Sequence, residues 1–254
     1  CSGGPYLSCL HGGIQAGVFC AGKDAVFEFL ENVLGEVIDL FPSQFIHVGG
    51  DEVPKDNWQR CPRCQQRIRA EGLKDEHELQ SYFIRRIEKF INARGRRLIG
   101  WDEILEGGLA PNATVMSWRG VEGGIAAAKA GHDVVMTPTT HCYFDYVQAS
   151  VGQPKGPQWA APLVVEKVYE FDPVVAGIPA DKAQHVLGGG GTLWTESIPN
   201  YGHLQFMTYP RACALAETLW SPKEARQLAD FKARLKTHFK FLDSLGVLYG
   251  QSAE

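Results

Sequence analysis

Two adjacent carboxylates, Asp51 and Glu52, close the run Phe45-Ile46-His47-Val48-Gly49-Gly50, a short apolar stretch whose β-branched centre reads as a strand. Acids in such a place can protonate a leaving group, take a proton from water, or stabilise a growing positive charge. Neighbours on a regular strand point to opposite faces, so both carboxylates serve one site only if the backbone curls at Gly49-Gly50. Glycine permits that curl, and Pro54 then commits the chain to a loop. A lone Asp-Glu pair after a strand is ordinarily a solvated acidic turn. Two further segments repeat the design here: Arg97-Leu98-Ile99-Gly100-Trp101-Asp102-Glu103, and the stretch from Leu187 to Glu196 that ends in Leu193-Trp194-Thr195-Glu196. Three strand-like runs ending in Trp or Gly plus acids are expected to share one mouth.

The elements that must position these acids alternate. Helical spacing runs from Asp24, a plausible N-cap, through Val26, Phe27, Leu30, Leu34 and Ile38 to Pro42, and feeds the Phe45 strand. A polar excursion with Trp58 and two cysteines follows. Asp75 or Glu76 then opens a helix through Leu79, Phe83, Ile87 and Ile91 that closes near Gly95. Arg97 to Trp101, Thr114 to Trp118, Asp133 to Thr137 and His185 to Trp194 are the next four predicted strands, with an Ala-rich helix from Gly123 to Ala130 between the second and third of them. Helices at Tyr209 to Trp220 and Lys223 to about Leu245 close the chain, and residues 1 to 23 read as a long loop. Apolar strands separated by helices indicate an α/β fold with a parallel sheet covered on both faces. The pattern gives about five of the eight strand–helix units of a (β/α)8 TIM barrel, with the missing units on the N-terminal side.

In such barrels the C-terminal ends of the strands carry the chemistry. Those ends hold Asp51 and Glu52; Trp101 with Asp102 and Glu103; Trp118; the segment Tyr143-Phe144-Asp145-Tyr146; and Trp194 with Glu196. This is a set of aromatic walls plus carboxylates. It contains no phosphate-cradling glycine loop, no nucleophile elbow around a serine and no two-histidine metal pair. Tryptophan faces stack on the apolar side of sugar rings, and carboxylates accept hydrogen bonds from hydroxyls and supply acid catalysis. Any one of these tryptophans could equally be a core residue. His47, inside the strand, is expected to be a hydrogen-bonded structural residue beside the site, and Asp102 with Glu103 is a rival acid pair that residue spacing does not exclude.

The 254 residues, 44% of them hydrophobic, suffice for one domain of barrel size. A net charge of −4 without a basic run argues against nucleic acid or an anionic membrane surface as partner, and no apolar run is long enough to span a bilayer. The chain starts at Cys1 without Met or a signal sequence and is expected to be a processed or truncated piece. Of the seven cysteines only Cys61 and Cys64 stand at metal-ligand spacing. A closed tetrahedral zinc site would need a second such pair or a histidine pair nearby, so these two are expected to be ordinary or disulfide-bonded loop cysteines.

The run His47-Val48-Gly49-Gly50-Asp51-Glu52, the segment Gly100-Trp101-Asp102-Glu103, the Tyr143-Phe144-Asp145-Tyr146 patch and Leu193-Trp194-Thr195-Glu196 together resemble the motifs of glycoside hydrolase family 20, the β-N-acetylhexosaminidases, in the family's order. The resemblance implies exo-acting, retaining hydrolysis of terminal N-acetylglucosamine or N-acetylgalactosamine, with the substrate's own 2-acetamido oxygen attacking the anomeric carbon to form an oxazolinium intermediate. It implies Glu52 as general acid and later base. Asp51 is implied to hold the acetamido N–H and stabilise the oxazolinium charge, and Tyr143 to bond the acetamido oxygen. Trp101, Trp118 and Trp194 are implied as pocket walls, and Asp145 and Glu196 as ligands of the outer hydroxyls. No metal or organic cofactor is implied. The partner is a glycan or chitooligosaccharide, and a periplasmic or secreted setting is expected. The family's substrate-gripping Arg on the first barrel strand, an Asp and His before the fourth strand, and the small α/β domain ahead of the barrel have no counterpart in this chain, which therefore resembles the C-terminal majority of a catalytic domain. A non-catalytic sugar-binding fragment and a related disaccharide-releasing glycosidase are the alternatives.

Overall fold

The computed structural model describes residues 13–148, 157 and 160–250. Most of the predicted N-terminal loop, and most of the loop from Ala149 to Pro162, lie outside the described residues. The chain divides into two units, residues 1–116 with 129–134, and residues 117–128 with 135–254. Five strands are ordered β1 to β5 along one sheet: β1 (Phe45–His47), β2 (Arg97–Trp101), β3 (Thr114–Ser117), β4 (Val134–Met136) and β5 (Val186–Gly189). The pairs β1–β2 and β2–β3 are parallel, with Ile46 opposite Leu98 and Gly100 opposite Val115. In the first unit the Val115 N–H donates to the Asp133 carbonyl at 2.9 Å, and in the second the Thr137 N–H donates to the Ser117 carbonyl at 2.8 Å.

In the first unit, α1 (Asp24–Leu40) and α4 (Glu76–Ala93) pack together, and α4 also covers β2. The Asp75 carboxylate caps α4 by accepting the amides of His77 and Glu78 at 2.9 and 3.0 Å, two donors the first turn cannot satisfy internally. Leu79, Ile84, Ile87 and Ile91 then repeat at helical spacing and are buried, as are Leu98 and Ile99 of β2. The polar excursion is not a loop. It forms two short helices, α2 (Asp56–Arg60) and α3 (Pro62–Ala70), and Trp58 buries its ring beneath them while donating Nε1–H to the Phe19 carbonyl at 2.9 Å. Pro62 starts α3, where its missing N–H costs nothing. Cys61 and Cys64 are accordingly buried helix-start residues rather than loop cysteines.

In the second unit, α5 (Glu122–Lys129), α6 (Thr139–Cys142) and α7 (Val165–Tyr169) precede β5, and α8 (Tyr201–Thr208), α9 (Arg211–Trp220) and α10 (Leu228–Ser244) follow it. The helix expected from Tyr209 begins only at Arg211, because Pro210 holds the residue before it, Tyr209, in extended backbone, and α8 was not anticipated. The last helix starts five residues later than expected, after a 3-10 turn at Lys223–Ala225. The fifth strand is shorter than predicted: four consecutive glycines, Gly188–Gly191, thin it, and a single bridge between Tyr143 and Thr192 takes over beyond Gly189. An added Cβ at Gly189 would lie 2.8 Å from the Met136 carbonyl oxygen, so the strand's close approach there requires glycine.

Candidate active site

Asp51, Glu52 and Trp101 belong to the first unit, and Trp118, Tyr143, Asp145, Trp194 and Glu196 to the second. In the first unit, β1 ends at His47 and the chain turns through Gly49 at φ +72° and Gly50 at φ +96°. The curl that two adjacent acids require is present. Glu52 itself stands at φ +48°, the one described residue other than glycine in left-handed backbone, a conformation that costs a side chain about 1–3 kcal/mol and is characteristic of functional sites. The turn is held from three sides: the Gly49 carbonyl accepts the Trp101 N–H at 2.9 Å, the Gly49 N–H donates to His47 Nδ1 at 3.1 Å, and the Gly50 carbonyl accepts Nε2–H of Gln80 at 2.7 Å.

Gln80 is buried on the apolar stripe of α4 four residues before Ile84. A polar side chain on that stripe is the signal that sequence reading passed over. Lys55 donates to the Val53 carbonyl at 2.9 Å and to Gln80 Oε1; burial lowers its pKa, and the charges of Glu106 and Glu103 oppose that shift. His47 keeps an exposed edge, yet its ring meets Trp101 edge-on at 4.9 Å, and desolvation of the packed side lowers its pKa against the field of Asp51. The ring is therefore neutral near pH 7, its Nδ1 an acceptor. Asp51 is half-buried and Glu52 exposed, whereas the rival acids Asp102 and Glu103 are buried in the 3-10 turn Asp102–Leu105 that follows β2.

Gly50 faces that same turn, and an added Cβ would stand 2.6 Å from Ile104 Cγ2. Gly50→Ala combines this overlap with positive φ, so it is expected to cost about 1–3 kcal/mol in a urea denaturation series. An unchanged midpoint would show that the turn is not held as described.

In the second unit, the Phe144 N–H donates to the Thr192 carbonyl at 2.7 Å and the Thr192 N–H to the Cys142 carbonyl at 2.8 Å, which fixes the Tyr143–Tyr146 segment to the chain beyond β5. Tyr143 is buried and stacks on half-buried Trp118, ring centroids 6.2 Å apart and planes 25° from parallel, with Tyr146 on its other side at 5.6 Å. Trp194 is 41% exposed and Glu196 is exposed. Asp145 is buried, and its Oδ1 receives no hydrogen bond from any described residue.

Burial pushes the Asp145 carboxyl up to about 6, Glu196 adding to the shift, while its own amide, Arg211 and the Trp194 N–H pull the other way. Arg211, fully buried and missed from sequence, lies behind this segment and donates to the carbonyls of Phe144, Tyr146, Leu163 and Met207 at 2.5 to 3.2 Å. A lone Arg at the head of the apolar run Ala212-Cys213-Ala214-Leu215-Ala216 was the available signal. Because folding raises the Asp145 pKa, the native state holds this proton where the unfolded chain releases it. Stability is expected to fall by about 3 kcal/mol as the pH rises from roughly 4 to 7. Asp145→Asn should flatten that slope in urea titrations at several pH values, and an unaltered slope would assign it to another group.

The catalytic-domain profile of glycosyl hydrolase family 20 matches residues 6–223. A β-hexosaminidase of Porphyromonas gingivalis is 50% identical over 239 residues, which cover 93% of this chain and 30% of that protein. One from Akkermansia muciniphila is 33% identical over 226 residues, 88% of this chain and 45% of that protein. The crystal structure of an exo-β-N-acetylglucosaminidase of family 20 from Vibrio harveyi, in complex with N-acetylglucosamine, superposes with a TM-score of 0.85 at 35% identity and covers 92% of this chain and 37% of that one. The fold is thus the TIM-barrel α/β architecture expected, and the chain spans less than half the length of these relatives. With the profile matched over most of its length, this chain belongs to glycosyl hydrolase family 20.

Proposed function

We propose that this chain carries the catalytic pair of an exo-acting, retaining β-N-acetylhexosaminidase, and that it corresponds to the C-terminal majority of that enzyme's barrel. Glu52 protonates the leaving oxygen while the acetamido oxygen of the substrate closes on the anomeric carbon. Asp51 accepts the acetamido N–H and stabilises the positive charge that spreads over the oxazolinium ring. In the second step Glu52 takes a proton from water, and that water opens the ring on the same face, so configuration is retained. Tyr143 donates to the acetamido oxygen, Trp101, Trp118 and Trp194 wall the sugar, and Asp145 and Glu196 accept hydrogen bonds from its outer hydroxyls. The relatives named hexosaminidase, and the N-acetylglucosamine held by the Vibrio harveyi enzyme, support a terminal N-acetylhexosamine of a glycan or chitooligosaccharide as the substrate.

The observation that carries the reading is the strained Glu52 backbone at the end of a turn built by two left-handed glycines. Strain of that kind is retained where placing a side chain matters more than local stability. The unmatched Asp145 Oδ1 supports the second half of it, as a buried acceptor for a hydroxyl. The pair is tested with Asp51→Asn in the longest natural reading frame that contains this chain. An amide keeps the shape and loses the charge, so kcat is expected to drop by about 10²-fold or more with KM changed much less. Equal turnover of the variant and the wild type on an aryl N-acetyl-β-glucosaminide would remove Asp51 from the mechanism.

A further inference from the structure

We propose that Cys20, Cys61 and Cys64 form a structural binding site for a thiophilic divalent cation of the zinc class, apart from the catalytic turn. The three sulfurs converge from two distant segments. Cys20 Sγ lies 3.8 Å from Cys61 Sγ and 3.6 Å from Cys64 Sγ, and all three sulfurs fall within 4.8 Å of one another. These separations are well beyond the roughly 2.05 Å of a disulfide and match the sulfur spacing around a tetrahedral ion with bonds of about 2.3 Å. All three residues are buried, and among the described residues theirs is the one cluster of three or more such donors whose ligand atoms come together.

The two backbone segments that carry the sulfurs meet closely. Cys61 is the residue that precedes α3 and Cys64 lies in its first turn, so both sulfurs stand at the start of that helix. Gly22 passes so close to the Cys61–Cys64 turn that an added Cβ would be 2.3 Å from the Arg63 carbonyl carbon. Only glycine allows the two backbones to meet there.

The three sulfurs supply three of the four positions of such an ion's tetrahedron. The cation would tie the stretch before α1 to the start of α3, reinforcing the bonds from Asn57 Nδ2 to the Ala16 carbonyl and from Trp58 Nε1 to the Phe19 carbonyl. Both of these partners lie in the excursion that leaves the Asp51-Glu52 turn.

The longest natural reading frame containing this chain, purified without chelator, is expected to hold about one zinc per chain at this site by mass-spectrometric metal analysis. Exchange with cobalt(II) should give an intense sulfur-to-cobalt charge-transfer band with tetrahedral d–d bands. Alkylation mapped by peptide mass spectrometry should leave Cys20, Cys61 and Cys64 protected until chelator is added, and chelation should lower Tm by about 5–10 °C. Cys20→Ser should weaken zinc binding by about 100-fold, while Cys213→Ala should not change it. If Cys20→Ser does not fold, the cobalt spectrum and the chelator-dependent alkylation of the wild type decide. A disulfide joining Cys20 to Cys61 or Cys64, copper(I) in place of zinc, or three cysteines that alkylate equally with and without chelator would overturn the site.

Discussion

Glu52→Gln in the longest natural reading frame should lower kcat on an aryl N-acetyl-β-glucosaminide by about 10²–10⁴-fold, because the amide preserves volume and hydrogen-bond reach but has no proton to deliver. The loss should be smaller on substrates with better leaving groups, which need less protonation. Glu103→Gln is the decisive comparison. Glu103 is buried behind the turn, within the field of Lys55, and its replacement should act through packing, with kcat within about tenfold of wild type. If Glu103→Gln proves the more damaging of the two, the acid lies at the end of β2 and the assignment of Glu52 is wrong.

The largest loss of stability is expected at Arg211. Burial brings its pKa down to about 9, still high enough to keep the guanidinium charged at neutral pH, and Asp145 favours that charge. Its five N–H bonds hold four backbone carbonyls of three segments, and its guanidinium lies 5.2 Å from the Phe144 ring centroid. Arg211→Met fills similar space but leaves those carbonyls buried without donors, and each orphaned group costs about 1–3 kcal/mol. Water will reach some of them, so a net loss of about 3–5 kcal/mol is expected in equilibrium denaturation. Arg211→Lys should recover only part of it, since a point charge cannot serve a forked set of acceptors. A Met variant within about 0.5 kcal/mol of wild type would show that these bonds are dispensable.

The elements that could be read from sequence are those whose local pattern and packing agree. α1 and α4 carry long apolar stripes bounded by Pro42 and by the Asp75 cap, and β2 is a continuous apolar run, so each emerges at or near its predicted limits. Short polar helices such as α3 lack that stripe and exist because Trp58 and the cysteines bury beneath them. The fifth strand was overdrawn because its apolar ends conceal a glycine core. At the candidate site, Gly49-Gly50 announced the curl before Asp51, but the left-handed backbone of Glu52 depends on Gln80 and Trp101 holding the turn from outside it. Arg211 and Cys20 were invisible for a related reason. Their partners lie as far as 67 and 44 residues away in sequence, a range that spacing rules do not reach.

The most direct test of the central claim compares kcat/KM for two β-glucosides with the same leaving group, one bearing a 2-acetamido group and the other a 2-hydroxyl. If the substrate supplies its own nucleophile, held by Asp51 while Glu52 gives the proton, the 2-acetamido compound should be cleaved at least about 10³-fold faster, in keeping with the advantage of an intramolecular, oriented attack. Equal rates on the two would mean that an enzymic carboxylate or an activated water attacks the sugar directly, contradicting the roles given to both acids.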